Sequence, residues 1–125
     1  MRFQKHYTRE QVRALLPQVR AWLDDLVDRR DKMDKQEDLV RSMRPEGADI
    51  GGEVVNDWVR LVAEFRTLLF EFYQRDIEIK DIDRGLVDFP AIIGGKEVFL
   101  CWEKSEDDVE YWHDLDSGYG GREPL

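Results

Sequence analysis

At 125 residues, with 42% hydrophobic and 38% charged side chains, the chain is long enough for one packed domain and too apolar for a disordered one. Its 19 Lys and Arg against 28 Asp and Glu leave a formal charge of -9, which repels phosphate backbones and anionic lipid surfaces and argues against nucleic-acid or membrane partners. A lone cysteine, Cys101, excludes an internal disulfide. No apolar run approaches the roughly 20 residues of a transmembrane helix, and residues 1–7 lack the apolar stretch of a secretory signal, so a cytoplasmic protein is expected.

The first predicted element is a long helical segment over 8–44. Thr8 and Gln11 have the spacing of a capping box, and Tyr7 can staple onto Val12 across the new N-terminus. Val12, Leu15, Leu16, Val19, Trp22, Leu23, Leu26 and Val27 then recur at steps of three and four, one stripe of a helix. Pro17 lies inside that stripe, and its missing N–H predicts a kink or a short separate first segment. The run over 28–38 is almost wholly charged, with only Met33 apolar, and reads as a solvated continuation of the helix. Arg44, Pro45, Gly47, Gly51 and Gly52 end the pattern and predict a turn.

A second helix is predicted over 53–76, where Val54, Val55, Trp58, Leu61, Val62, Phe65, Leu68, Leu69 and Phe72 follow a spacing close to a heptad seam. The short glycine-containing connection makes the two helices antiparallel neighbours. Phe70 and Tyr73 lie off the seam, so either the C-terminal part or a second copy of the chain must cover them.

Over 77–125 the rhythm changes to alternation: Ile77 and Ile79, then Val98, Leu100 and Trp102, then Val109 and Tyr111. Gly94 and Gly95 mark a hairpin between the apolar segment at 89–93 and the strand at 98–102, and SEDD at 105–108 marks the next turn. About three or four strands are expected. The tail over 117–125 is too rich in glycine for regular structure, although Tyr119 and Leu125 could anchor it. The expected fold is therefore a single α+β domain: an antiparallel two-helix hairpin, its first helix kinked near Pro17, packed against a small C-terminal antiparallel sheet.

Polar side chains able to do chemistry concentrate in that last part: Asp81, Asp83, Asp88, Glu103, His113, Asp114, Asp116 and Arg122. Histidine and carboxylates suit zinc, iron or manganese and also general acid–base work. The usual zinc spacings are missing, so no cofactor is expected, although the ligand types permit a divalent metal. Two Asp-x-Asp-x-Gly runs, at 81–85 and 114–118, lack the later ligands of a calcium loop and read as turns in which Asp caps and Gly takes positive φ. His113, after Tyr111 and Trp112, could be oriented by Asp114 or Asp116, and Arg122 is expected to pair with a carboxylate or grip a small anionic ligand. Cys101, between Leu100 and Trp102, reads as a buried, inert thiol. The glycine-rich tail lacks the context of a phosphate loop.

The elements at 8–17 with Leu15-Leu16-Pro17, KDIDRGLVDFP at 80–90, LCWE at 100–103 and YWHDLDSGYGGREPL at 111–125 together resemble the bacterial domain-of-unknown-function 2203 family across nearly the whole chain. The resemblance implies a bacterial cytosolic protein and carries no catalytic residue across. Two functions are weighed on the residues. The first is a non-enzymatic interaction or assembly protein, a homodimer using Trp58, Phe65, Phe70 and Tyr73. The second is a small-molecule or metal-binding module, or a metal-assisted hydrolase, built on Asp88, His113, Asp114, Asp116 and Arg122.

Overall fold

The computed structural model describes residues 1–43 and 52–125; of the predicted turn, Arg44, Pro45, Gly47 and Gly51 lie outside the described residues. Helix α1, Arg9–Ser42, begins where its capping residues place it. The Gln11 N–H donates to Thr8 Oγ1 and the Thr8 N–H donates back to Gln11 Oε1, while Tyr7 and Val12 are both buried in the core. The helix continues through Pro17 as one element, so a separate first segment does not form. Leu16 and Val19, buried on either side of the proline, hold the flanking turns, and that burial outweighs one missing ladder bond.

Helix α2, Glu53–Tyr73, stops short of the predicted end at 76. The N–H groups of Arg75 and Asp76 bond back to the carbonyls of Phe72 and Tyr73, and Asp76 takes φ 59°, a left-handed position that aspartate tolerates. This turn drops Ile77 into the core and starts the sheet one residue later than the alternation suggested. The helices are antiparallel: Trp22 meets Phe72 edge-on with ring centroids 5.6 Å apart, and Arg29 pairs with Glu64 at 2.8 Å.

The sheet has five strands among the described residues, more than the three or four expected. They are β1 (Glu78–Asp81), β2 (Leu86–Ile93), β3 (Lys96–Trp102), β4 (Tyr111–Asp114) and β5 (Glu123–Pro124), antiparallel and in sequence order across the sheet. The extra strand comes from the tail, where a short 3-10 turn, Tyr119–Gly121, lets Glu123 and Pro124 pair with β4. Gly94 and Gly95, at φ 60° and 78°, close the β2–β3 hairpin as a two-residue turn. Val109 is buried ahead of β4 rather than within it, and Asp114 both ends that strand and opens the next turn, its carbonyl accepting from the Ser117 N–H at 3.1 Å.

Strand alternation gives the sheet two different faces. Val87, Phe89, Ala91, Val98, Leu100 and Trp102 point at the helices and join Val12, Leu16, Val19, Leu23, Leu26 and Phe72 in one core. The intervening residues of β2, β3 and β4 form the opposite face, which the helices do not reach. Arg20 fixes the connection between β3 and β4: its guanidinium donates to the carbonyls of Lys104 and Glu106, both at 2.7 Å, and lies over the Trp102 ring.

Candidate functional site

The face turned away from the helices carries three buried polar side chains from three neighbouring strands. Asp88 on β2 lies directly opposite Cys101 on β3, and His113 on β4 lies opposite Phe99, two residues along from Cys101. Asp88 and Cys101 are 1% exposed and His113 is 2% exposed, a degree of burial that polar groups tolerate only when partnered. One donor atom of each, a ring nitrogen, the thiol sulfur and a carboxylate oxygen, lies within 4.8 Å of the other two. A cleft of about 250 Å³ opens onto the cluster between Lys80, Leu86, Phe99, Leu115, Ser117 and Tyr119.

The hydrogen bonds fix the chemistry of the pair. His113 Nδ1 is 2.8 Å from the Asp114 carbonyl oxygen, which can only accept, so Nδ1 carries a proton and donates it. His113 Nε2 is 3.0 Å from Asp88 Oδ1, and one proton must lie between them, on the imidazole or on the carboxyl group. Burial pushes the Asp88 carboxyl above the ordinary carboxylate range, opposed by His113, Cys101 and Lys80. Burial, reinforced by the Asp88 charge, pushes the Cys101 thiol up to about 12, so by itself the sulfur is no nucleophile near neutral pH.

The sequence-derived candidates separate in space. Asp88 and His113 come together, whereas the Asp114 carboxylate turns to Lys96 at 2.7 Å and contributes only its backbone carbonyl to His113. Asp116 is exposed. Arg122 pairs with Glu106 and is stacked between Tyr111 and Tyr119, its Cζ 3.9 Å and 4.5 Å from their centroids, which fastens the tail to the sheet. Of the two Asp-x-Asp-x-Gly turns, the first has Asp81 accepting from the Arg84 N–H and Gly85 at φ 64°, while in the second Gly118 keeps an extended φ of -103°. Cys101 joins the cluster without having been singled out as a ligand. The alternation of β3 puts it on the face of Phe99, but the register against Asp88 is not readable from the chain.

A family model described as an uncharacterized conserved protein, DUF2203, matches residues 5–125, a span that takes in both helices, every strand and the Asp88, Cys101 and His113 cluster. The chain belongs to the DUF2203 family. The resemblance carried by the LCWE and YWHDLDSGYGGREPL segments is thus borne out over nearly the whole chain. No curated protein and no solved structure matches it.

A second surface of this DUF2203 protein lies on α2. Trp58 and Phe65 are half-buried, and Phe65 packs against the core. Phe70 and Tyr73 are 55% and 77% exposed and, among the described residues, stack on each other with ring centroids 6.2 Å apart. Of the two covers their position called for, the C-terminal part does not supply one. At 100° per residue, Val59, Ala63, Arg66, Phe70 and Tyr73 fall on one exposed stripe. No helix among the described residues is long and apolar enough to cross a membrane.

Proposed function

We propose that this DUF2203 protein is a non-enzymatic, bacterial cytosolic assembly protein that forms a homodimer by packing the exposed stripe of α2 on the same stripe of a second copy. The observation that carries the reading is the apolar surface left open on α2, where Val59, Phe70 and Tyr73 are each more than half exposed. A helix apolar on two faces is normally covered on both. Among the described residues, α1 has no fully buried residue beyond Leu26 and α2 has none before Leu61, so the outer half of the hairpin lacks the cover that the sheet gives its inner half.

Charge favours a second copy as the occupant. Although the chain carries -9, the stripe itself holds one charged side chain, Arg66, which makes no ion pair with the described residues. Two acidic molecules can meet there without opposing carboxylates, and Arg66 gains the partner's acidic flank. The same patch on both molecules gives a closed two-fold pair. Sedimentation of the parent chain is expected to show a dimer, and Phe70→Glu and Tyr73→Glu, which bring a carboxylate into the stripe, are expected to sediment as monomers. A parent that stays monomeric up to high micromolar concentration overturns the reading.

A further inference from the structure

The three-strand cluster is more than a satisfied set of polar groups. We infer that Asp88, Cys101 and His113 form a binding site for a divalent transition-metal ion of the zinc class, with its fourth coordination position open to the cleft.

Ligand identity is the first argument. A thiolate sulfur, an imidazole nitrogen and one carboxylate oxygen make a mixed set that suits zinc, whereas magnesium and calcium take oxygen ligands. The donor atoms lie within 4.8 Å of one another, so modest rotations of three side chains on adjacent strands bring them onto one centre. Tautomer is the second argument. The Asp114 carbonyl holds the proton on His113 Nδ1 and leaves Nε2 turned to the cluster, the way a metal-ligating imidazole is commonly set by a carbonyl behind it.

The third argument is charge. With the thiol and carboxyl ionised and the imidazole neutral, the protein supplies two negative charges, and a divalent cation makes the buried site neutral overall. The cleft provides the fourth argument: it gives an entry path and a place for water or a small anion on the metal, with Lys80 on its rim. Three protein ligands with one open position distinguish such a site from a closed structural one.

Binding has a defined proton balance. The thiol gives up its proton to become a thiolate, and the proton shared by Asp88 and His113 leaves so that Nε2 and the carboxylate can ligate; Nδ1 keeps its own.

The test uses the full chain stripped with a chelator and titrated with zinc, then with cobalt(II) as a spectroscopic probe. One equivalent of zinc is expected, with release of the thiol proton and the shared proton read as buffer-dependent heat. Cobalt is expected to show the near-ultraviolet thiolate-to-metal charge-transfer band of a sulfur ligand. Cys101→Ser and Asp88→Asn, close in shape to the parent residues, should weaken zinc binding at least tenfold, and Cys101→Ser should abolish the band; His6→Ala, outside the cluster, should leave both intact. Zinc binding that survives Cys101→Ser, or cobalt bound without a sulfur band, overturns the inference. If a variant fails to fold, the cobalt spectrum of the parent chain decides alone.

Discussion

Gly85 takes φ +64°, and a Cβ built there would come within 2.7 Å of Lys104 Cβ, so both conformation and space demand glycine. Gly85→Ala is expected to lower stability by about 1–3 kcal/mol, the cost of a strained left-handed residue, read from the urea midpoint with the slope unchanged. The Asp-x-Asp-x-Gly pattern made this turn legible in the sequence. The same pattern at 114–118 misled on Gly118, because there the turn is set by Ser117 donating to the Asp114 carbonyl and by the tail returning to pair with β4. Glu97 shows what a local reading cannot reach. Burial alone would raise its carboxyl, but hydrogen bonds from His6, the Phe3 N–H and the Arg2 N–H outweigh it and bring it to about 2 from an ordinary 4.5. A depressed carboxylate contributes stability above its unfolded value and loses it as pH falls through the folded one. Amide exchange at Arg2 and Phe3 should therefore speed up relative to the β3 core as pH is lowered from 4.5 toward 2, and Glu97→Gln should loosen the same amides already at neutral pH. Equal protection of those amides in parent and variant would rule out this clamp.

Among the elements, α2 separates two kinds of apolar residue two positions apart. Phe72 is 1% exposed and packs edge-on against Trp22, whereas Phe70 is more than half exposed. Phe72→Ala is expected to cost about 3–5 kcal/mol as a core cavity, while Phe70→Ala should stay within about 0.5 kcal/mol of the parent when measured below the dissociation constant of the proposed dimer. Helical spacing revealed both helices and the position of Phe70 off the seam. The end of α2 was not legible, since it depends on Asp76 accepting a left-handed φ so that Ile77 can enter the core. Alternation likewise located β3, the apolar segment at 89–93 before the glycine hairpin marked the second half of β2, and Asp88 and His113 were recognised by residue type. The meeting of Asp88, Cys101 and His113 is a property of strand register, which three separate stretches of chain settle only after they pair. That is why Cys101 read as inert alone and becomes a candidate ligand in place.

At the scale of the whole molecule, composition announced an acidic chain, but where its charge lies relative to its uncovered apolar surface became visible only once the helices were packed. That arrangement predicts how assembly responds to salt. Two copies carrying -9 each repel at long range, while the stripe proposed to join them is apolar apart from Arg66. Raising ionic strength to about 0.15 M shortens the screening length to about 8 Å and removes most of the repulsion, leaving the burial of Val59, Phe70 and Tyr73 intact. Salt also relieves repulsion within one acidic monomer, so a rise in melting temperature alone is ambiguous. Tyr73→Glu resolves it, because its monomer keeps the internal effect and loses the intermolecular one. The parent's melting temperature should rise with both protein concentration and salt, and the variant's only with salt, and less steeply, as dimerisation linked to folding requires. Identical salt and concentration responses in the two proteins would place the stripe outside any dimer interface.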